Sequence, residues 1–349
     1  MPTSARASAS TDPSLLRLAS RLLLPAAALF LGAAACSSPD ASPAPSPPAP
    51  AASLPPAPAP VPSLAPPPEP SRCAAVACAS IERCDEATGA CVPHCPAGEV
   101  YIPKTGPDGF VMGKGFTLNG GARRLRKGHQ PDSDRPHRVV LTRPFCMDET
   151  EVTVAAMKTC VDAKTCDPPK SLEVFANYPR RPDHPANEVS WDKAKKYCKA
   201  QGKDLPTEAQ WEWAATGGDG RKWPWGNDEP TCEHADFTIG VLVSPGGDSG
   251  CHGGGTSPVR SHPKGDRPWP TGTLHDLAGN VWEWCDDTYA KYGEGPVTDP
   301  HVQKPGVLVH VVRGGGWNRS NLGIQTAFRG AAIHTYEVPG LGFRCVRNP

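Results

Sequence analysis

The sequence predicts an α+β domain with little regular secondary structure. Only three short segments carry helix signals, which are apolar residues at helical spacing in the first and capping residues in the other two. The β-prone runs are equally short and are separated by Gly/Pro turns. Beyond Gly217 the chain is rich in Gly, Pro and Trp and carries only short strand signals. Few helices, short strands and many loops together favour the α+β class.

The strand signals come first along this domain. The segment "GEVYIPKTGPDGFVMG" contains two short β-prone runs around a Gly/Pro turn, and "PHRVVLTRPFCMDETEV" supplies another strand followed by an acidic turn.

Three helices are predicted next, and their capping residues set the boundaries of two of them. The first lies within "TVAAMKTCVDA". The second starts in "SWDKAKKYCKAQG", where Ser190 can cap the first turn and Gly202 marks the stop. The third follows Thr207, which forms a capping box with Gln210.

The amino terminus predicts export. Three arginines precede the apolar stretch "LLLPAAALFLGAAAC", which is too short to span a bilayer permanently and ends in small residues before Cys36. Residues 1–36 resemble a bacterial lipoprotein signal, which implies lipidation of Cys36 and anchoring in the cell envelope; ordinary cleavage and release is the alternative. The Pro/Ala/Ser-rich residues 37–71 are predicted to be a linker.

Cysteine usage agrees with export, because 14 cysteines behind a secretion signal indicate disulfides in an oxidising compartment. Residues 72–95 contain five of them in a segment too small for an apolar core, and this pattern predicts a disulfide knot. Zinc binding is the competing interpretation, but the spacings lack paired C-x2-C knuckles. The cysteines of this segment are Cys73, Cys78, Cys84, Cys91 and Cys95.

Among the remaining cysteines, loop length makes two local pairs plausible, Cys160 with Cys166 and Cys232 with Cys251. Cys285 is the cysteine whose state is open. Pairing with one of four cysteines is favoured over a free thiol. The four candidates are Cys95, Cys146, Cys232 and Cys251.

Charge and histidine placement exclude some partners. The formal net charge of +0 gives no electrostatic argument for a nucleic-acid partner. Five histidines form no close H-x-H or H-x3-H pair, so scattered surface histidines are favoured over a metal centre. They are His234, His252, His262, His275 and His334.

The segment "DLAGNVWEWCDD" is a candidate site for a hard cation. Asp276 and Glu283 bracket a Gly-Asn turn, which offers two carboxylates and backbone carbonyls of the kind that Ca²⁺ prefers. On its own the pattern is weak, because acidic residues around such a turn are more often solvated than ligating.

An ordered set of motifs carries a family resemblance: "RPDHPANEVSWDKAKKYCKAQGKDLPTEAQWEWAATGG", "WPWGN", "GNVWEW", "RGGGW" and "GFRC". Residues 96–349 resemble the formylglycine-generating enzymes, also called sulfatase-modifying factors. The resemblance implies a compact fold distantly related to C-type lectins and stabilised by calcium and disulfides.

The resemblance also implies individual site residues. The family's calcium site would use the side chains of Asp276 and Glu283 with the backbone oxygens of Gly279 and Val281. A second calcium site is matched in one half only, because Asp236 and the Phe237 carbonyl fit while Asp248 is out of register. The family disulfide between "KKYC" and "GFRC" would join Cys198 to Cys345.

The oxidase centre of the family is what this chain lacks. Active members carry a C-x4-C pair after a G-G-S turn, where thiolates bind copper. Here Gly314, Gly315, Gly316 and Trp317 are followed by "NRSNLGIQTAFRG", which contains no cysteine, histidine or methionine. Copper is therefore not expected. The turn is predicted to serve packing, with Arg313 and Arg329 meeting acidic or carbonyl partners in the core.

The function predicted from these features is that of a cell-envelope lipoprotein carrying a calcium-stabilised, non-catalytic binding or structural module. Its partner would be a protein, peptide or glycan, and its only membrane contact would be the lipid anchor. The alternative is a metal-dependent oxidase of the same superfamily that acts on a sulfur-containing substrate.

Overall fold

A computed structural model describes the chain from residue 72 to residue 348, with gaps at 75, 80–81, 115–135, 172–173, 240–249 and 252–253. The chain divides after Pro67, and all described residues belong to the second unit, Pro68–Pro349. The predicted signal (1–36) with Cys36 and the linker (37–71) lie outside the described residues, as do Asp248 and His252.

Short strands are the most numerous regular elements of the described residues. They are β1 Glu82–Cys84, β2 Cys91–Pro93, β3 Glu99–Ile102, β4 Phe110–Met112, β5 His137–Val140, β6 Phe145–Asp148, β7 Arg267–Trp269, β8 Gly272–Leu274, β9 Trp282–Thr288, β10 Val297–Thr298, β11 Val309–Arg313, β12 Gly330–Ile333, β13 Leu341–Gly342 and β14 Val346–Arg347. They form small sheets in the orders β10-β5-β4, β14-β6-β3 and β12-β11-β9-β13, besides the pairs β1-β2 and β7-β8.

Three α-helices complete the architecture: α1 Val154–Asp162, α2 Trp191–Ala200 and α3 Glu208–Thr216. The Thr153 side chain caps α1, and the Ser190 side chain accepts from the Lys193 N–H to cap α2. The predicted capping box of α3 is confirmed, because Thr207 and Gln210 exchange both of its hydrogen bonds. The sheet-rich α+β class with few helices is therefore confirmed.

One predicted strand divides into two. The segment "PHRVVLTRPFCMDETEV", which is predicted to contain a single strand, forms β5 and β6, and these belong to different sheets. Pro144 lies between them and has no N–H to donate to a ladder. The Thr142 backbone N–H turns instead to the Asp299 carboxylate at 2.8 Å.

The longest strand, β9, organises the core although the sequence gives it only a weak signal. All of its seven residues are buried. Its antiparallel neighbour β11 sets Arg313 opposite Glu283, and its parallel neighbour β13 sets Gly342 opposite the same residue. The strand contains three acidic residues, which are unfavourable in strands unless they are paired.

The Cys-rich segment contains two disulfides, Cys73–Cys84 and Cys78–Cys91. Its fifth cysteine pairs outside the segment, in a bond between Cys95 and Cys146 of β6 that ties it to the main domain. Among the described helices, none is long and apolar enough to cross a membrane.

Candidate functional site

The turn from β8 into β9 places Asp276 and Glu283 in the interior. Asp276 and Asn280 adopt positive φ angles of 57° and 56°, and Gly279 has φ 80°. A Cβ atom at Gly279 would lie 2.2 Å from the Asp236 carbonyl oxygen, so only glycine fits there. The backbone of this turn is therefore fixed by close packing against the chain around Asp236.

Glu283 is fully buried and held on both carboxylate oxygens. Arg344 donates to it twice, from Nε to Oε2 at 2.8 Å and from Nη2 to Oε1 at 2.7 Å. The Trp211 indole N–H donates to Oε2 at 2.7 Å. The guanidinium also donates to the backbone carbonyls of Asp148, Glu149 and His275, so all parts of the pair are hydrogen-bonded.

Asp276 is buried as well, and its Oδ2 accepts from the Arg260 backbone N–H at 2.7 Å. Burial raises the pKa of this carboxyl group above its ordinary value. His262 lies between two acids, with Nδ1 4.0 Å from Asp276 Oδ1 and Nε2 3.8 Å from Asp236 Oδ1. The prediction of scattered surface histidines is wrong for His262, which is 5% exposed and lies beside the buried Asp236 and Asp276.

The four residues predicted to bind calcium offer donor atoms of the kind that a hard cation prefers. Asp276 and Glu283 supply carboxylate oxygens, Gly279 and Val281 supply carbonyl oxygens, and no softer donor belongs to the set. Within the described ranges no three His, Cys, Asp or Glu side chains form a metal-holding group. The predicted set has only two such side chains, so it depends on the backbone of the turn. Of the second site, Asp236 and Phe237 are buried.

The glycine turn at the end of β11 contacts the turn at residues 276–281 directly. The Trp317 N–H donates to the Asn280 carbonyl at 2.9 Å, and the Gly279 N–H donates to the Gly314 carbonyl at 3.0 Å. Gly315 has φ 73°, and a Cβ atom there would lie 2.5 Å from the Gly323 carbonyl oxygen. The turn lets two chain segments pass at backbone distance, as the packing role predicts.

The surface of this turn is aromatic and basic. The Trp317 ring packs on Phe175 with ring centroids 5.0 Å apart. Arg319 lies over the Trp282 ring at 5.6 Å. The Thr238 N–H donates to the Arg319 carbonyl at 2.7 Å. Beside these residues a depression of about 460 Å³ opens, lined in part by Phe237, Thr238, Ile239, Ser320 and Asn321.

The predicted partners of Arg313 and Arg329 are confirmed as acidic and carbonyl groups. Arg313 is fully buried, pairs with Glu212 and donates to the Phe328 carbonyl at 2.7 Å. Arg329 donates to both oxygens of Glu208, at 2.5 Å and 2.7 Å, and to the Ala290 carbonyl.

The two glutamates of this network differ in pKa. Burial raises the pKa of Glu212 to about 7 even though Arg313 opposes the shift. Burial acts on Glu208 in the same direction, but the guanidinium groups of Arg329 and Arg313 outweigh it and hold the pKa of Glu208 below its ordinary value.

The structure brings Cys198 of α2 and Cys345 together in a disulfide. The two local pairs are also formed, Cys160–Cys166 and Cys232–Cys251.

Pairing of Cys285, which the sequence favours, is wrong. Cys285 is a free thiol, because its four candidate partners pair in Cys95–Cys146 and Cys232–Cys251. It lies inside β9, and burial raises the pKa of its thiol well above the ordinary value. A buried, protonated thiol is a poor nucleophile and a poor metal ligand.

Comparison with known proteins places this geometry in a family. The family model of the sulfatase-modifying factor enzyme 1-like domain matches residues 105–349 of the sequence. The chain belongs to the sulfatase-modifying factor family, whose enzymes generate formylglycine. The formylglycine-generating enzyme of Streptomyces coelicolor is 31% identical over 78% of this chain and 96% of its own length.

Two further likenesses bear on fold and activity. A mouse protein named inactive C-alpha-formylglycine-generating enzyme 2 is 36% identical over 47% of this chain and 49% of its own length. The solved structure of PvdO from Pseudomonas aeruginosa superposes with a TM-score of 0.54 at 23% identity, covering 72% of this chain and 94% of PvdO. At this identity the superposition supports the fold alone.

Proposed function

We propose that this protein is a non-catalytic member of its family, a binding or structural module built on the sulfatase-modifying factor fold. The stretch 317–330 after the glycine turn carries the proposal, because it contains no cysteine, histidine or methionine. A cuprous ion requires soft ligands such as thiolates. Cys285 is the free cysteine of the described residues, and it is buried in β9.

The similarity to a mouse protein named as inactive supports this proposal, because it offers an example of the fold without the activity. The longer match to the Streptomyces coelicolor enzyme supports the alternative, a metal-dependent oxidase acting on a sulfur-containing substrate. The residues present favour the binding module, since function depends on the site and not on the fold.

Calcium is the ion we propose for the turn before β9. Asp276 and Glu283 would hold it by their side chains, and Gly279 and Val281 by their backbone oxygens. Its role would be structural, because it would compensate buried carboxylate charge and fix the turn on which Trp317 rests.

The surface beside the glycine turn is the proposed partner site. Aromatic Phe175 and Trp317, the cationic Arg319 and the 56%-exposed Ile239 lie around it. Aromatic and arginine side chains are enriched in protein interfaces and also suit peptides and glycans. A protein, peptide or glycan partner is proposed; nothing in the charge of the chain favours nucleic acid.

We propose further that the protein is exported as a lipoprotein anchored in a bacterial cell envelope. The apolar stretch before Cys36 and the linker at 37–71 support this, as does the number of disulfides. The disulfide knot (72–95) and the main domain (96–349) would follow the linker. Metabolic labelling with a fatty-acid analogue tests the anchor: wild type should be labelled and Cys36→Ala should not.

An oxidation assay tests the absence of catalysis. A peptide with a C-x-P-x-R motif is incubated with purified protein, copper, reductant and oxygen, and mass spectrometry reads the product. The Streptomyces coelicolor enzyme is the positive control. No aldehyde above the no-enzyme background is expected. Catalytic aldehyde formation that is abolished by replacing one cysteine or histidine would overturn the proposal.

A further inference from the structure

We propose that β12 is an interface at which two copies of this chain pair as antiparallel strands, related by a two-fold axis at Ala331. The inference goes beyond the proposed function, because none of its residues belongs to the partner site beside the glycine turn. It depends neither on calcium nor on the absence of catalysis.

Strand β12 is the outermost strand of its sheet. It pairs with β11 on one side, where Val309 lies opposite Ile333 and Val311 lies opposite Ala331. In the part of the chain that the structure describes, no strand pairs with the other side of β12. The edge is therefore open to a further strand.

The hydrogen bonds show which backbone groups point to this open side. The His334 N–H donates to the Leu308 carbonyl at 2.8 Å, so His334 faces β11. Residues of an antiparallel strand face its neighbour alternately, and Ala331 and Ile333 therefore face away. The Ile333 carbonyl accepts from the Tyr336 N–H at 2.8 Å. The N–H and C=O of Ala331 and the N–H of Ile333 have no hydrogen-bond partner among the described residues.

Both ends of β12 are held in place before any pairing. A Cβ atom at Gly330 would lie 2.6 Å from the Val312 side chain and 2.8 Å from the Trp282 ring, so the strand starts in close contact with the core. At the other end the His334 carbonyl accepts from the Trp191 N–H at 2.8 Å. A preformed strand loses little conformational entropy when a second strand adds to it.

Exposed apolar side chains surround the open edge. Among the described residues seven large apolar side chains are exposed, and four of these lie on β12 or beside its end, with 39% to 58% of their surface accessible. Proteins usually protect a strand edge with lysine or proline, and the strand sequence "GAAI" contains neither. The four side chains are Leu308, Ile333, Tyr336 and Val338.

The charges around the edge favour a second copy over a charged partner. His334 lies 2.7 Å from Asp192, and Lys193 lies 2.7 Å from Glu337, so the charged groups that flank the exposed side chains are paired within the chain. A strongly acidic or basic strand would find no free opposite charge in these groups. Two copies do not repel each other, because the formal net charge is +0.

The open edge is also self-complementary. In a two-fold pair the Ala331 N–H of each copy donates to the Ala331 carbonyl of the other, so both exposed groups are satisfied by the same residue. Such a pair brings the two Cα atoms to about 5.5 Å, and the small alanine side chains permit this approach. The interface is smaller than the roughly 1,200 Å² of standard interfaces, so we expect a dissociation constant of about 10 to 100 μM.

Sedimentation equilibrium over roughly 1 to 500 μM, a range that spans this constant, tests the pairing. The full chain carries Cys36→Ala in every sample so that a lipid cannot drive association, and it should form dimers as its concentration rises. Ile333→Lys adds a charge to the edge of each copy, and Ala331→Pro removes the edge N–H without removing a hydrogen bond to β11. Each should weaken pairing on the order of tenfold or more. Val174→Lys changes an 84%-exposed residue outside this edge and should leave pairing unchanged.

Cross-linking tests the register of the two strands. Ala331→Cys and Thr335→Cys each place a thiol at an exposed position. In the two-fold pair the thiols introduced by Ala331→Cys are adjacent, whereas those introduced by Thr335→Cys are roughly 25 Å apart, because each lies four residues from the axis. A short bismaleimide should therefore join two copies of the first variant and not of the second, as read by peptide mapping. The free Cys285 is buried and should not react.

Three results would overturn the proposal. A single monomeric species over the whole concentration range would show that the copies do not pair, and would leave the edge to a strand of another protein. Dimers of unchanged affinity in Ile333→Lys and Ala331→Pro would place the contact on another surface. Equal cross-linking of Ala331→Cys and Thr335→Cys would refute the axis at Ala331. If circular dichroism shows that Ala331→Pro does not fold, Ile333→Lys and the cross-linking decide.

Discussion

Arg344 and Glu283 form a two-point ion pair in the interior, with donor–acceptor distances of 2.7 Å and 2.8 Å. Neither side chain is exposed to solvent. Arg344 precedes Cys345, which is bonded to α2, and Glu283 lies at the start of β9. The pair therefore joins the carboxyl-terminal motif "GFRC" to the segment that runs from the turn at residues 276–281 into β9.

Replacing Arg344 by methionine should destabilise the fold by about 3 to 5 kcal/mol, because it leaves a buried carboxylate without its cation. Denaturant unfolding followed by tryptophan fluorescence measures the change. Arg260→Met is the control, since its pair with Glu149 is half exposed and should contribute about 1 kcal/mol or less. Similar losses in the two variants would contradict the importance assigned to the buried pair.

Removing calcium should lower the melting temperature. With the ion at a hundred times its Kd, binding stabilises the fold by about 2.7 kcal/mol, which corresponds to roughly 5 to 10 °C in a domain of this size. In Asp276→Asn, adding a chelator should lower the melting temperature by much less than it does in wild type. Asp192→Asn changes an exposed carboxylate, and in this variant the chelator should lower the melting temperature as much as in wild type. The calcium assignment fails if chelator shifts wild type and Asp276→Asn equally.

Cys285 should resist alkylation in the folded protein. Its side chain is buried and its thiol pKa is raised, so little thiolate is available to react. Iodoacetamide labelling with peptide mapping should find Cys285 unmodified in native protein and modified after denaturation without reductant. Labelling of native protein at the rate of a free peptide thiol would show that β9 opens or that the thiol is accessible.

The stability that Glu212 contributes should fall as the pH rises from about 5 to 7. The pKa of Glu212 is about 7 in the folded protein and near 4.5 when the group is unperturbed, so the folded state binds the additional proton in this range. The stabilisation from protonated Glu212 is fully present below its unperturbed pKa of 4.5, and it is lost as the pH rises through the folded-state pKa of about 7. The pKa of Asp287, raised by burial to about 6, acts in the same direction.

Unfolding free energies at pH 5, 6 and 7 test this dependence. Glu212 alone should contribute a decrease on the order of 2 kcal/mol, which Glu212→Gln should remove. Glu233→Gln replaces an exposed glutamate and should retain the wild-type slope. Burial lowers the pKa values of His184 and His310, which act in the opposite direction, so the comparison with Glu212→Gln isolates the contribution of Glu212. Equal pH slopes in wild type and Glu212→Gln would contradict the raised pKa of Glu212.

The local features of this protein were readable in the sequence because the interacting groups are neighbours along the chain. Ser190 and Thr207 cap helices through contacts within three residues, and the missing soft ligands of 317–330 are a property of composition. Family motifs in a fixed order then predict the fold class, since together they are far more specific than any one alone.

Only the tertiary structure decided which buried charges meet. Arg344 and Glu283 are 61 residues apart, and Glu151 and Asn280 are 129 apart. An acidic strand such as β9 can be buried only if cationic side chains from other elements pair with its carboxylates. The local sequence around β9 does not show whether such side chains are present. The same reason explains the free Cys285: a disulfide needs two cysteines brought within a few ångströms, and folding brought its candidate partners to one another instead.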